Sequence, residues 1–145
     1  MTAVEELRQA REKTVRAHYE AENRHDLDGL LATFSPSRAS YDIPAFGEEG
    51  QAADAAGVRT MWEGILAVFP NIHHEVRRLR QGDHFILVEY IVSGTQKSDW
   101  AGIQSTGRSF AIRVAAVYEF EGEQLVCERV YTDVADWVRQ LGSAK

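Results

Sequence analysis

The sequence predicts an α+β fold in which three N-terminal helices pack on a curved antiparallel sheet. Two observations predict it. Apolar residues recur every three or four positions as far as Phe69, and Pro36 and Pro70 end helical segments. The later spacing is that of strands, with turn signals at Gly82-Asp83 and Glu121-Gly122. Helices that come first and strands that follow them favour two packed layers.

The first segment predicts a long helix over Val4–Glu22 and then a short one. Residues three and four apart form one stripe of the long helix, namely Val4, Leu7, Arg11, Val15, His18, Tyr19 and Glu22. After the interruption Asn23-Arg24-His25-Asp26, the short helix carries Leu27, Leu30, Leu31 and Phe34 on one side. Ser35-Pro36-Ser37 ends it, because proline cannot continue a helix.

The middle of the chain predicts a short strand and a third helix. Ala39–Phe46 mixes large apolar side chains with one carboxylate, which is typical of a strand that runs into a loop. The helix is predicted from about Ala53 to Phe69, and Pro70 stops it. Its buried face is marked by Val58, Met61, Trp62, Ile65, Leu66 and Phe69.

The second half predicts four strands and a short helical tail. The strands are His73–Leu79, His84–Ser93, Ser109–Phe120 and Gln124–Asp133, with a polar loop at Gly94–Thr106 and the tail at Ala135–Leu141. Glu121-Gly122 is a strong signal for a hairpin between the last two strands. No repeat or linker interrupts the chain, so residues 1–145 are predicted to form one domain.

The composition excludes several classes of partner. Lys and Arg number 16 against 22 Asp and Glu, which gives a net charge of −6 and a poor match for nucleic acid or an anionic membrane. No apolar stretch approaches the roughly 20 residues that span a bilayer, and no signal-peptide core is present, so we expect a cytoplasmic protein. Cys127 is the single cysteine, so no intrachain disulfide or cysteine metal cluster can form.

The terminal hairpin divides its side chains between two faces if Phe120 pairs with Glu123. The face with more aromatic bulk is predicted to be covered, and it carries Phe110, Ile112, Val114, Ala116, Tyr118, Leu125, Cys127, Arg129, Tyr131 and Asp133. Glu128 falls on the opposite face. That face also carries Ala111, Ala115, Val117 and Val130, which we expect to pack against a second copy in a homodimer.

Two charges on the covered face need a partner or a function, because an unpaired buried charge is costly. Asp133 is either a cap of the last helix or a carboxylate whose apolar surroundings raise its pKa and make it a general acid or base. Arg129 is either a rim residue with an exposed head group or a group that polarises a substrate carbonyl. Tyr131 points the same way, so it is a further candidate for substrate contact.

Asp42 and the first helix supply the other polar candidates. Asp42 is either an ordinary turn residue or a second acid or base at the mouth of a cavity. His18, as a catalytic residue, and Tyr19, as a substrate contact, compete with the alternative that both are satisfied core residues. The five histidines lack ligand spacing, so no metal is expected. The chain also lacks a Gly-x-Ser-x-Gly elbow, a P-loop and a Gly-x-Gly-x-x-Gly motif, which argues against the enzyme classes that use them.

Several short segments, in this order, resemble the SnoaL-like polyketide cyclases of the nuclear transport factor 2-like superfamily. They are Asn23-Arg24-His25-Asp26-Leu27, Phe69-Pro70-Asn71, Gly94-Thr95-Gln96, Thr106-Gly107-Arg108 and Asp133 followed by Gln140-Leu141-Gly142. The resemblance implies a cone in which helices close a sheet around one deep apolar cavity. It also implies that Asp133 is the acid or base of an intramolecular aldol closure, without metal or cofactor. In the related ketosteroid isomerases the general base lies in a segment like Tyr41-Asp42-Ile43-Pro44.

The chain departs from the family pattern at several positions. Gln96 stands where the family often has histidine. His18 and Ala116 stand where the isomerases hold the substrate oxyanion with a tyrosine and a protonated aspartate, which disfavours a steroid-isomerase mechanism. The Arg-x-Asp pair of the limonene-epoxide-hydrolase relatives is not present on a predicted strand.

The sequence therefore predicts a cofactor-independent acid/base enzyme for an apolar, ketone-containing small molecule, acting by aldol cyclisation or isomerisation. Asp133 would remove a proton next to the carbonyl and Asp42 would be the second acid or base. The apolar walls would be Phe46, Trp62, Trp100 and Phe110. The alternatives are a non-catalytic binding or dimerisation domain, and an epoxide-opening enzyme in which Asp42 lies deepest.

Overall fold

The computed structural model describes residues 1–142 and shows helices packed against one six-stranded sheet. The helices are α1 (Ala3–Asn23), α2 (Leu27–Ala32), α3 (Ala55–Val68) and α4 (Val134–Leu141), and a 3₁₀ segment covers Pro44–Gly50. The strands are β1 (Ser40–Asp42), β2 (Gln51–Ala52), β3 (His73–Gln81), β4 (Phe85–Thr95), β5 (Ser109–Glu121) and β6 (Gln124–Tyr131). The predicted α+β class is confirmed.

The sheet is open, with the strand order β2-β1-β6-β5-β4-β3. The four long strands form the predicted antiparallel meander, whereas β1 runs parallel to β6 and antiparallel to β2. The sheet is therefore mostly antiparallel. Side chains alternate between the covered and outer faces of each regular strand, which gives β5 a strictly alternating burial pattern from Phe110 to Phe120.

Helix α1 buries the stripe that the periodicity predicts. Its N-terminus is closed by a capping box, because the Thr2 hydroxyl accepts from the Glu5 amide while the Glu5 carboxylate accepts from the Thr2 amide. The buried residues are Arg11, Val15, His18, Tyr19, Ala21 and Glu22. Val4, which the pattern also placed on this stripe, is exposed. The guanidinium group of Arg11 donates to the carbonyls of Asp83 and Gly122, so the helix is tied to two turns of the sheet.

The turn between α1 and α2 holds the start of β3. The side-chain amide of Asn23 donates to the carbonyl of His74 at 2.9 Å and accepts from the amide of His74 at 2.7 Å. The ring of His25, whose φ is +57°, lies 2.9 Å from the carbonyl of Ile72. Asp26 caps α2 through the amide of Gly29. The segment Asn23-Arg24-His25-Asp26 thus fixes where His74 enters the sheet.

The pairing of β5 with β6 differs from the predicted register. Phe120 pairs with Leu125, but the next pair towards the centre of the sheet joins Glu119 to Cys127. Val126 is therefore an extra residue on β6 and forms a β-bulge. A bulge reverses which face the following residues occupy, because side chains alternate with a period of two.

The bulge corrects the predicted faces of β6. Glu128 and Val130, which were predicted to face outward, are buried and pair with Tyr118 and Ala116 of β5. Tyr131, which was predicted to lie beneath the helices, is 51% exposed. The prediction that this half of β6 turns its odd-numbered residues inward was therefore wrong.

The end of β6 also differs from the prediction. The strand stops at Tyr131, and Asp133 is an exposed N-cap whose carboxylate accepts from the Ala135 amide at 3.0 Å. Of the two alternatives for Asp133, the helix cap is the one observed, and its predicted place in an apolar hollow was wrong. A single domain over residues 1–145 stays a prediction, and residues 143–145 lie outside the described residues. Within residues 1–142 no helix is long and apolar enough to cross a membrane.

Candidate functional site

Polar side chains are concentrated under the helices, against the covered face of β3, β4, β5 and β6. We call this group the polar cluster, and it consists of His18, Tyr19, Glu22, Trp62, His74, Tyr90, Tyr118 and Glu128. Every member is at most 6% exposed. The group combines α1, α3 and the four neighbouring strands β3 to β6, so it forms only in the folded chain. Buried ionisable groups at such density are unusual, since a charge taken from water needs a partner.

His18 is the centre of the polar cluster. Its Nε2 atom lies 2.8 Å from Oε2 of Glu128 and 2.9 Å from Oε1 of Glu22. Its Nδ1 atom lies 2.8 Å from the hydroxyl of Thr33, and that hydroxyl donates to the carbonyl of Leu30. The Thr33 oxygen therefore accepts from Nδ1–H of His18, and Nε2 is left to face the two carboxylates.

A proton must lie between Nε2 of His18 and Glu128, because two acceptors cannot meet at 2.8 Å without one. Burial opposes a charged imidazole, but the charges of Glu128 and Glu22 outweigh it and raise the pKa of His18 to about 10. Burial and the neighbouring charge of Glu128 raise the pKa of Glu22 to about 7, against the opposing effect of His18. Glu22 can therefore take up and release a proton near neutral pH.

The outer partners of the two carboxylates differ. Oε1 of Glu128 accepts from the hydroxyl of Tyr118 at 2.8 Å, so Glu128 is held at both oxygens. The contact of Glu22 with His18 lacks hydrogen-bond geometry, and neither Glu22 oxygen has a hydrogen-bond partner. Its Oε2 atom lies 3.5 Å from Nδ1 of His74. Burial lowers the pKa of His74 to about 3, so this imidazole is neutral beside Glu22.

The same atoms bear on whether the site could hold a metal. One ligand atom each from His18, Glu22 and Glu128 lies within 4.8 Å of the others. Imidazole and carboxylate suit a divalent transition metal, but the 2.8 Å contact of His18 with Glu128 is that of a hydrogen bond. A shared proton accounts for this arrangement. The absence of metal and cofactor from the reaction stays a prediction.

A second group of rings, buried or half-buried, lies around Phe110 near the start of β5. We call it the aromatic cluster, and it consists of Phe46, Phe69, Trp100, Phe110 and Trp137. Neighbouring ring centroids are 4.6 Å apart for Phe110 and Trp137 and 4.8 Å apart for Trp100 and Trp137. Phe110 and Tyr118 share the covered face of β5 and are about 26 Å apart along the strand at roughly 3.3 Å per residue.

The interior between the helices and the sheet is closely packed. Around His18, the rings of Phe34, Tyr118 and Tyr19 have their centroids 5.3, 5.4 and 6.2 Å away. A groove of about 690 Å³ lies partly on the outer face instead, and Arg78, Glu89, Arg113 and Tyr131 are among the residues that line it. This groove does not contain the two carboxylates. The central apolar cavity that the resemblance implies stays a prediction.

The structure separates the predicted site residues into three places. His18, Tyr19 and Trp62 belong to the polar cluster, whereas Phe46, Trp100 and Phe110 belong to the aromatic cluster. Asp42, Arg129, Tyr131 and Asp133 lie in neither. For Arg129, Tyr131 and Asp133 the reason is the bulge in β6 and the early end of that strand.

Asp42 and Arg129 form an ion pair on the side of the sheet away from the helices. Nε of Arg129 donates to Oδ2 of Asp42 at 3.2 Å, and Nη1 donates to Glu119 at 2.5 Å. These contacts join β1 and β5 to β6, so Arg129 has structural partners. Tyr41, the neighbour of Asp42, is buried instead and its ring meets that of Trp62. The carboxylates that lie deepest are therefore Glu22 and Glu128.

Sequence reasoning missed Glu22, Glu128 and His74 as candidates. Glu22 could have been found, because it lies on the predicted buried stripe one turn after His18. Glu128 could not be assigned to the covered face from the sequence, because that assignment requires knowledge of the bulge. His74 alternates with exposed neighbours on β3, and a buried histidine in a half-exposed strand gives no chemical signal of its own.

Comparison with known proteins also identifies the fold. Solved structures with similar folds include IdmH from Streptomyces antibioticus, a "putative polyketide cyclase" (24% identity, 90% of this chain and 96% of that chain, TM-score 0.75). A protein from Xanthomonas campestris pv. campestris with the same description matches at 21% identity over 93% and 98% of the two chains, with a TM-score of 0.79. AclR from Streptomyces galilaeus, a "putative hydroxylase", matches at 21% identity over 90% and 94%, with a TM-score of 0.73.

At these identities the structural matches establish a shared fold. No curated protein matches the chain. The family model of the SnoaL-like domain matches residues 15–128, a range that begins in α1 and ends at Glu128. The predicted family is thus confirmed: the chain belongs to the family of SnoaL-like domains.

Proposed function

We propose that this protein is an acid/base enzyme that moves a proton in an apolar, ketone-containing small molecule held between the helices and the sheet. The proton is carried by Glu22, and His18 and Glu128 are positioning residues. The observation that supports this most directly is the unequal pairing of the two carboxylates. Glu128 is hydrogen-bonded at both oxygens, whereas Glu22 has no hydrogen-bond partner and a pKa of about 7.

In the proposed reaction the ionised Glu22 removes a proton from the carbon next to a ketone. The C–H bond breaks, the proton goes to the carboxylate, and the electron pair is delocalised onto the ketone oxygen as an enolate. In a cyclisation the enolate carbon attacks a second carbonyl of the same molecule, and protonated Glu22 returns its proton to the new alkoxide. In an isomerisation the proton returns to another carbon. Neither route consumes a cofactor.

Substrate admission requires a rearrangement, because the polar cluster is enclosed on every side. The loop between β4 and β5 brings Trp100 into the aromatic cluster, and Trp100 itself is only half-buried. Movement of this loop would open the apolar end of the interior. The polyketide cyclase names of two structural relatives fit an apolar, carbonyl-rich substrate.

The proposal is tested by exchange of protons for deuterium in a series of apolar ketones of increasing size, followed by NMR in D₂O. We expect Glu22→Gln to lower the exchange rate by about 10²- to 10⁴-fold, the range of a general base. Glu20→Gln, an exposed change on the same helix, is the matched control and should keep the wild-type rate. An unchanged rate in Glu22→Gln, or no exchange in any ketone with the wild-type protein, would contradict the proposal.

A non-catalytic binding or dimerisation domain is the competing candidate, and the close packing of the interior favours it. In such a protein the charges of the polar cluster would serve stability alone, and the exchange experiment would show no activity. The epoxide-opening alternative required Asp42 to lie deepest. Its pairing with Arg129 away from Glu22 and Glu128 gives that alternative no support.

We also propose a homodimer formed through the outer face of the sheet. Ala111, Ala115 and Val117 lie on this face and are at least partly exposed, as predicted, although Val130 is buried beneath the helices. Arg113 and Glu89 give the same face charges of both signs. Light scattering after size-exclusion chromatography tests the proposal, and a monomer at tens of micromolar would contradict it.

A further inference from the structure

Three rings of the polar cluster, two of them next to His74 and the third His74 itself, each have a polar atom without a hydrogen-bond partner. These atoms are the hydroxyl of Tyr19, Nε1 of Trp62 and Nδ1 of His74. The ring centroids of His74 lie 5.8 Å from Trp62 and 6.1 Å from Tyr19. Nδ1 of His74 is 3.5 Å from the carboxylate of Glu22, so His74 adjoins the group that carries the proton and the other two rings adjoin His74.

Unpartnered buried groups of this kind are rare, since most buried donors find an acceptor. The indole N–H of Trp62 is the most informative, because it can only donate and the residue is 2% exposed. In Trp137 the corresponding group donates to the hydroxyl of Thr132 at 2.7 Å. Trp62 thus presents a donor where the protein supplies no acceptor.

The chemistry of these atoms indicates what would satisfy them. An N–H and an O–H that point away from protein partners suit an acceptor oxygen of a ligand. Glu22 suits a weakly acidic proton on an adjacent atom. A carbonyl compound with a hydrogen on the neighbouring carbon supplies both, whereas an alkane supplies no acceptor and an ammonium ion offers only donors.

We propose that Trp62, His74 and Tyr19 form the binding subsite for the ketone oxygen of the substrate, with the indole N–H of Trp62 as the principal donor. This inference rests on the proposed function and adds the group that stabilises the enolate. As Glu22 takes the proton, negative charge develops on the ketone oxygen. A donor already aimed at that oxygen stabilises the charge without reorganising.

The test is the ¹⁵N–¹H spectrum of the indole groups, which gives one signal for each of the three tryptophans. Each ketone of the exchange series, such as cyclohexanone or 1-tetralone, is compared with the hydrocarbon that lacks only the oxygen. We expect the ketone to move the Trp62 indole proton downfield and the hydrocarbon to leave it in place. The Trp137 signal is the internal control, since its N–H already has a partner.

A substitution gives a second readout. Trp62→Phe keeps an aromatic ring but removes the donor, and we expect it to weaken ketone binding about tenfold relative to the matched hydrocarbon. Trp137→Phe should leave the preference for ketone unchanged. The spectrum of the wild-type protein carries the test even if Trp62→Phe does not fold.

The outcomes separate this subsite from the catalytic proposal. A downfield shift of Trp62 without deuterium exchange supports the subsite and contradicts the catalytic role of Glu22. Exchange that depends on Glu22 while no ketone shifts the Trp62 signal overturns the subsite alone. Equal shifts by ketone and hydrocarbon also overturn it, because they show apolar contact without a hydrogen bond to oxygen.

Discussion

The polar cluster and the aromatic cluster lie under the same helices and on the same face of β5, yet they are held in different ways. The aromatic cluster is held by ring contacts at centroid distances of 4.6 to 5.8 Å, which depend little on charge. The polar cluster is held by the proton between His18 and Glu128 and by the charge of Glu22 beside them. The stability of the aromatic cluster therefore depends on packing, and that of the polar cluster depends on protonation.

The largest effect on stability is expected from breaking the charge balance of the polar cluster. Glu128→Ala leaves His18 and the hydroxyl of Tyr118 without their acceptor in a dry site. We expect the free energy of unfolding to fall by about 3–5 kcal/mol, as for loss of one partner of a buried ion pair. Urea denaturation measures it. Glu121→Ala removes the exposed partner of Arg38 and should lower the free energy of unfolding by at most about 1 kcal/mol. Equal losses in the two variants would contradict the view that protonation and charge hold the polar cluster.

The second largest effect is expected in the pH dependence of stability, which should come from the polar cluster and not from the aromatic cluster. The pKa of His18 is raised from 6.5 to about 10, so the folded chain holds this proton more tightly and its contribution is lost as pH rises from 6.5 to 10. Glu22, raised from 4.5 to about 7, acts with the same sign between those values. His74, lowered to about 3, acts with the opposite sign as pH falls below 6.5.

Together these shifts predict that unfolding free energy is level between about pH 4.5 and 6.5 and falls on either side. Urea denaturation from pH 3.5 to 10 checks this profile. We expect His18→Gln to flatten the decline above pH 7. Phe69→Leu, in the aromatic cluster, should lower stability at every pH without changing the shape. A decline that survives in His18→Gln would show that another group holds the proton.

The smallest effect is expected at Asp133, which belongs to neither cluster. Asp133→Ala removes the cap of α4, and we expect a loss of about 1 kcal/mol in unfolding free energy. Asp133→Asn keeps a capping oxygen and should restore most of that loss. Deuterium exchange in a bound ketone should be unchanged in both variants, whereas a large loss of exchange in Asp133→Asn would return this residue to the mechanism.

The sequence predicts the aromatic cluster better than the polar cluster, for a physical reason. Phe110 and Phe69 follow regular periods of a strand and a helix, so their burial can be read from spacing. Glu128 depends on a bulge, which period counting does not detect. Because the predicted alternation was off by one residue beyond the bulge, Arg129 and Asp133 were predicted to lie beneath the helices in place of Glu128.

In helix α1 the buried residues could be predicted from spacing, because the helical period is not interrupted. The stripe of α1 correctly placed Arg11, His18 and Glu22 beneath the surface. What the stripe could not show is that Glu22 and Glu128 meet at one imidazole. That meeting joins residues 106 positions apart in the chain, and it needs the register of the sheet as well as the period of the helix.

Length matters more than residue type in the short stretch of β6 around Val126. Removing Val126 would restore simple alternation along β6. Arg129 and Tyr131 would then lie beneath the helices, and Glu128 would lie on the outer face of the sheet. A frame-preserving deletion of one codon there would therefore damage the site more than most substitutions along the same strand.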